Sequence, residues 1–296
     1  MTSGWSLYVI ALVLLALVGC AWLLLANQRA SGQDGEPGET LGHEFDGLRE
    51  YNNPLPAWWL WLFVGTLIWA PFYLLAYPGF GSYAGWLGWT SVGQYDDEVA
   101  LADARYGPLF RQFHETPIPQ LAQDPRAVET GSRLFANNCA QCHGSDARGG
   151  RGYPNLTDDD WLYGGEPETI VQTITHGRMG NMPPMGMVVG EAGVANLAQY
   201  VLGLSGRAHD AQVAQASAAQ FAQMCAVCHG ADGRGNQAVG APDLTDDIWL
   251  HGGRLEDIEQ QIRNGRVNQM PAHGDLLGPQ KIHLLAAYVL SLQDGG

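Results

Sequence analysis

The chain has 296 residues, 46% of them hydrophobic, with ten tryptophans and a formal net charge of −15. Lys281 is its single lysine, so there is no basic footprint for phosphate and nucleic acid is excluded as a partner. The length allows two or three compact units, and the acidic balance suits either basic protein partners or the plain solubility of an exported domain.

Two apolar stretches come first. From Trp5 to Ala26, "WSLYVIALVLLALVGCAWLLLA" carries no charge, and at about 1.5 Å per residue it makes ~33 Å of helix, enough to cross a bilayer core. A cleaved signal peptide is the competing reading. The preceding "MTSG" lacks a basic n-region, the apolar run is too long for an h-region, and no small-residue cleavage site follows. A retained anchor is therefore expected over 1–26, with Cys20 as an apolar space-filler. The second stretch, "AWWLWLFVGTLIWAPFYLLAY" over 57–77, is again uncharged and gathers Trp and Tyr near its ends, as interfacial anchors do. Pro71 is expected to kink it, which a spanning helix tolerates.

Arg29 and Arg49 lie in the intervening segment 27–56, whereas the N-terminal tail and residues 78–104 hold no basic residue. The positive-inside rule makes 27–56 a cytoplasmic loop and places both termini, with a connector over 78–126, outside.

The rest of the chain is a duplication. "PNLTDDDWLYGG" (154–165) matches "PDLTDDIWLHGG" (242–253), "HGRMGNMPPMG" (176–186) matches "NGRVNQMPAHG" (264–274), and "LAQYVLGL" (197–204) matches "LAAYVLSL" (285–292), all at one offset. Two copies do not make a solenoid. The units are taken as 127–206 and 207–296. Each reads as helical: a first helix carries Phe135 or Phe221 just before the cysteines. A last helix carries Val194, Leu197, Tyr200, Val201 and Leu204, or Ile282, Leu285, Tyr288, Val289 and Leu292, at helical spacing. Strand signal is too weak for a sheet. Units so small struggle to fill a core with their own side chains.

Four of the five cysteines sit in "CAQCHG" and "CAVCHG". Two cysteines three apart with histidine next is the attachment pattern of c-type haem. On one helical turn both thiols reach the two vinyl groups of one porphyrin, and the histidine faces the iron. Cys139, Cys142 and His143 are expected to hold one haem c, and Cys225, Cys228 and His229 a second. A four-thiolate zinc site would need the two pairs together, yet each lies in a complete repeat. A thioredoxin-like pair would need a strand–helix context.

Met182 and Met270 occupy one repeat position, each followed by a stiffening proline, and a thioether is a good sixth ligand for haem iron. Core filler is the alternative use of a methionine. Met179 and Met185 compete, but their counterparts are Val267 and His273. Which methionine serves which haem is open, because packed repeats could exchange ligand loops. Pro154 and Pro242 could offer a carbonyl to the outer nitrogen of each ligand histidine. Arg178 and Arg266 could neutralise propionates or lie on the surface; Trp161 and Trp249 could wall the haems or simply pack. With two strong axial ligands per iron, the haems pass single electrons and no residue is expected to be catalytic. A diheme peroxidase would need a vacant ligand position, against which the paired methionines argue.

The stretches "GHEFDGLREYNNPLPAWWLWLFVG" (42–65) and "YPGFGSYAGWLGWTSVGQY" (77–95), followed by two haem motifs, resemble the diheme CcoP/FixP subunit of cbb3-type cytochrome c oxidases over nearly the whole chain. With the two transmembrane helices read above, the chain is expected to be all-α; the resemblance implies that two tandem class I cytochrome c domains follow them, on the periplasmic side of a bacterial inner membrane. It also implies partnership with a haem–copper catalytic subunit and a monohaem cytochrome subunit, and electron relay from a soluble donor cytochrome c to the oxygen-reducing centre of a proton-translocating oxidase. Many members have one spanning helix, so the first helix here departs from the pattern. The alternative is a membrane-tethered diheme shuttle serving another dehydrogenase or reductase.

Overall fold

The computed structural model describes residues 2–30, 40–51 and 56–293, which form two compact units, 1–104 and 105–296. Residues 31–39 and 52–55 of the expected cytoplasmic loop lie outside the described residues.

In the first unit, α1 (Ser3–Ala30) and α2 (Ala57–Ala76) are long and apolar enough to cross a membrane, and neither buries its spanning segment inside the protein. A helix apolar on all faces and covered by nothing of its own needs lipid or protein around it. α2 runs through Pro71 without interruption. The segment after α2 reaches the start of α1: the Ser82 amide donates to Ser6 Oγ at 2.9 Å. Between them, β1 (Thr40–Phe45) and β2 (Leu48–Tyr51) form a hairpin. Its turn, Asp46-Gly47, has φ of 51° and 83°, the doubly positive geometry that a tight two-residue hairpin demands.

Thr90 caps a helix absent from the sequence expectation, α3 (Ser91–Glu115), through its Oγ1, which accepts from the Gly93 amide at 2.9 Å. The supposed connector 78–126 is thus largely helical. One-turn α4 (Ile118–Leu121) follows it.

The second unit contains both repeats. Repeat one supplies α5 (Pro125–Asn138), the one-turn α6 (Ala140–His143), α7 (Pro167–His176), β3 (Arg178–Met182) and α8 (Gly186–Leu204). Repeat two supplies α9 (Ala211–Met224), the one-turn α10 (Ala226–His229), α11 (Leu255–Asn264), β4 (Arg266–Met270) and α12 (Gly274–Ser291). The expected first and last helices are all present. α8 is also long and apolar enough to cross a membrane, but Val194, Leu197, Ala198, Val201 and Leu202 are buried in the protein core.

The repeats do not fold separately. α12 packs on α5 and α7, while α8 packs on α9 and α11. Tyr288 of repeat two lies against Phe135 of repeat one, ring centroids 5.3 Å apart, and Tyr200 of repeat one lies 4.8 Å from Phe221 of repeat two. One core therefore joins Phe135, Ile170 and Ile174 to Ile282, Leu285 and Val289; the other joins Val194, Leu197 and Val201 to Phe221, Ile258 and Ile262. Each small core is completed by a helix that its own sequence repeat does not provide.

Strands β3 and β4 cross between these halves as an antiparallel ribbon, pairing Arg178 with Met270 and Met182 with Arg266. The fold is mostly helical rather than purely so, because two short two-stranded sheets are present. Five-residue strands with a central glycine or asparagine are too short to show in a repeat whose pairing partner is its own copy.

Candidate haem sites

The cysteine knots are built identically. Asp124 caps α5 by accepting from the Arg126 amide at 2.9 Å, and Asp210 caps α9 by accepting from the Gln212 and Val213 amides at 3.0 and 3.2 Å. Each helix ends at the first cysteine, and a second short turn carries the other cysteine and the histidine. The Cys142 and His143 amides both donate to the Cys139 carbonyl, at 3.1 and 3.0 Å; Cys228 and His229 do the same to Cys225 at the same distances. No disulfide joins these cysteines. Burial, and then the neighbouring Cys142, push the Cys139 thiol up to about 11; burial raises Cys225 in the same direction.

The histidines are held by the carbonyls that the sequence nominated. His143 Nδ1 lies 3.0 Å from the Pro154 carbonyl, and His229 Nδ1 lies 3.2 Å from that of Pro242. Nδ1–H donation to a carbonyl leaves Nε2 as a free lone pair. Burial dominates in lowering both imidazoles below their ordinary value, so both are neutral, as an iron ligand must be.

The methionines lie across the repeat boundary. Met182 lines a cavity of about 300 Å³ together with Cys225, Cys228 and His229 of the other repeat, and it packs against the core that holds Phe221 and Cys225. Met270 packs against the opposite core, with Phe135 and Cys139. The loops that carry them are fixed by matched bonds. The Met185 amide donates to the Ile262 carbonyl at 2.9 Å, and the His273 amide to that of Ile174 at 3.0 Å. Glycine is required where these loops pass: a Cβ on Gly265 (φ +66°) would stand 2.4 Å from the Met182 carbonyl, and one on Gly177 (φ +70°) would stand 2.3 Å from that of Met270.

The cavity lining suits a flat apolar group with acidic edges. Its walls include Leu197, Val201 and Phe221, and it also exposes Trp249 and Arg266. Trp249 Nε1 and Arg266 Nε are buried donors without a protein partner. Buried donors left unpaired are costly, and a propionate would satisfy both. Arg178 is placed differently: its Nε donates to Thr173 Oγ1 at 2.9 Å and its guanidinium lies over the Tyr163 ring at 4.8 Å. Trp161 packs on the first core.

Several residues around the sites escaped sequence reasoning. His251 lines the cavity, and its Nε2 accepts from the Asn268 amide nitrogen at 3.0 Å. Its repeat counterpart is Tyr163, so no shared identity marked it. Arg151 reaches from repeat one to the His251 carbonyl at 3.2 Å and to buried Asp257 at 2.8 Å; Arg254 holds the other oxygen of Asp257 at 3.1 Å. Gln237, standing where Arg151 does in the duplicate, donates to the Trp161 carbonyl at 3.1 Å. Asp160 faces Asp158, Asp243 and Asp246, and burial together with these carboxylates pushes it up to about 6.

Two haem-attachment knots on swapped helical halves, behind apolar helices, define a membrane-anchored c-type cytochrome. Comparison with known proteins narrows the class. Residues 37–84 match the model of the N-terminal domain of cytochrome oxidase-cbb3, FixP, and residues 126–201 and 212–289 match that of cytochrome c oxidase, cbb3-type, subunit III. The chain is 51% identical over 292 residues to the cbb3-type cytochrome c oxidase subunit CcoP of Rubrivivax gelatinosus, covering 98% of this chain and 95% of that protein. It is 42% identical to the FixP subunit of Azorhizobium caulinodans (88% and 96% covered) and 39% identical to the CcoP subunit of Cereibacter sphaeroides (88% and 97%). The chain belongs to the CcoP/FixP family of cbb3-type cytochrome c oxidase subunits. It is an electron-transfer subunit that binds haem c and is anchored to the membrane.

Proposed function

We propose that the chain holds two haem c groups in crossed ligation and relays electrons between them toward the catalytic subunit. Cys139, Cys142 and His143 would hold one haem, with Met270 as the sixth ligand. Cys225, Cys228 and His229 would hold the other, with Met182 as the sixth ligand. The observation that carries this reading is Met182 sharing one cavity with His229. When bound, each haem supplies a one-electron couple whose potential a methionine ligand raises.

The residues of the chain do the rest. The Pro154 and Pro242 carbonyls orient the imidazoles; Gly177 and Gly265 let the ligand loops approach; the swapped helices exclude water. The same cavity reaches Asp158, Asp160 and Pro154 of the first half, and the Pro154 carbonyl lies 3.0 Å from His143 Nδ1, so the space beside the second knot borders the residue that orients the first histidine. α1 and α2 would span the membrane, and the charge asymmetry around 27–56 favours cytochrome halves on the periplasmic side. There a soluble donor cytochrome c would deliver electrons, and the haem–copper and monohaem subunits would receive them. No residue acts as a catalyst.

Single-haem variants test the assignment. In the Cys139→Ala/Cys142→Ala protein, Met182→Ala should abolish the methionine–iron charge-transfer band and Met270→Ala should leave it intact. In the Cys225→Ala/Cys228→Ala protein the two effects should exchange. The opposite pattern would establish ligation within each repeat and overturn the proposal.

A further inference from the structure

We propose that the exposed N-terminal part of α3 is a docking seam for an α-helix of another subunit of the oxidase, one whose apolar stripe is flanked by Lys and Arg. Along α3, Val92, Tyr95, Val99, Ala102, Tyr106, Leu109 and Phe113 follow one another at strict three–four spacing. That spacing is the seam of a helix–helix pair, lying on one face of the helix. Its C-terminal end is already used: Phe113 is 3% exposed in the first core and Leu109 packs against the same core. The remainder is bare. Val92 is 67% exposed, Tyr95 65%, Val99 47% and Tyr106 48%, and Ala102 is exposed between them. From Val92 to Tyr106 this runs for about 21 Å at 1.5 Å per residue. An apolar stripe continuous with a packed interface, on a helix that needs only its last turns to hold the core, is surface kept for a partner.

Charge selects the occupant. Asp96, Glu98 and Asp103 border the stripe, against Arg105 alone, whose guanidinium rests over the Tyr106 ring at 5.3 Å. A second copy of the chain is disfavoured: Glu98 would meet Asp103 in a parallel pair, and Asp96 would meet Asp103 in an antiparallel one. An anionic lipid surface is disfavoured by the same carboxylates. A partner helix with basic flanks gains from both terms. Since the chain is a subunit of a membrane oxidase, such a helix has a source within the complex. The start of α3 is also built to hold position: Trp89 Nε1 donates to Gln94 Oε1 at 3.0 Å, and Gln94 Nε2 to Glu98 Oε1 at 2.8 Å.

The test is site-specific photo-crosslinking in membranes that contain the assembled oxidase. A photoreactive phenylalanine is placed at Tyr95, Val99 or Ala102 on the seam, or at Asp97 or Ala104 on the far face; covalent haem staining checks that each variant folds. Seam positions should give an adduct with another oxidase subunit at least fivefold above the far-face positions, and Asp96→Lys/Glu98→Lys should reduce the Val99 adduct several-fold. Equal yields on both faces, no adduct with a subunit, adducts only with lipid, or adducts with a second copy of the chain would each overturn the proposal.

Discussion

Arg178 and Met270 stand directly opposite each other across the antiparallel ribbon, and Met182 and Arg266 do the same at its other end. Each end of the ribbon thus brings one soft sulfur from one repeat beside one permanent positive charge from the other. Because side chains alternate along a strand, Arg178, Gly180 and Met182 share a face with Arg266, Asn268 and Met270. The two ends nevertheless differ. Arg178 spends its Nε on Thr173, whereas Arg266 keeps a buried Nε with no protein partner.

This difference makes Arg266 the more consequential arginine. Arg266→Gln removes a half-buried positive charge from the lining of the cavity that holds His229, and so favours the oxidised state there. The reduction potential of that haem should fall by on the order of tens of millivolts, while Arg178→Gln should change its own site less. Redox titration of the two single-haem proteins measures both.

Gly131 sits where α5 passes close to α12. A Cβ there would lie 2.6 Å from Tyr288 Cβ and 3.1 Å from the Leu284 carbonyl. Alanine gains about 1 kcal/mol of helix propensity, but forcing apart packed helices costs about 1–3 kcal/mol. Gly131→Ala should therefore be net destabilising, by up to about 2 kcal/mol. Ser217, the duplicate position, is buried and bonds back to the Val213 carbonyl at 2.8 Å, so Ser217→Ala should be tolerated. Denaturant titration of the two variants compares them.

Asp160 gives a pH signature. Its folded value is raised to about 6 from the ordinary carboxyl value of 3.8, so the folded state binds the extra proton between these values. Stability then falls as pH rises through that window, and the cost is fully present above it. Asp160→Asn should stabilise the protein at pH 7.5 by on the order of 1 kcal/mol, once solvent screening is allowed for, and leave it unchanged near pH 3.5. Paired denaturation curves at those two pH values check the sign.

The local chemistry was legible in the sequence. Cys139, Cys142, His143 and their duplicates form single helical turns where the motif required them, and Pro154 and Pro242 offer the anticipated carbonyls. The apolar positions Val194, Leu197, Ile282 and Leu285 are buried as their spacing implied. Partner choice was not legible. Two copies with equal spacing pack within or between repeats with the same pattern, so nothing local distinguishes Met182 beside His143 from Met182 beside His229. The ribbon escaped for the same reason, since each strand is only five residues and pairs with its own duplicate. α3 escaped because Ala102, Gly107 and Pro108 dilute its apolar period, although its three–four spacing was present all along.

The exchange of α8 and α12 has a consequence for how the molecule is made. A ribosome delivers Cys139, Cys142 and His143 well before α12. Until α12 is made, the earlier knot lacks the helix that packs on α5 and α7. That knot is therefore still open when its cysteines first emerge, and α12 closes over it.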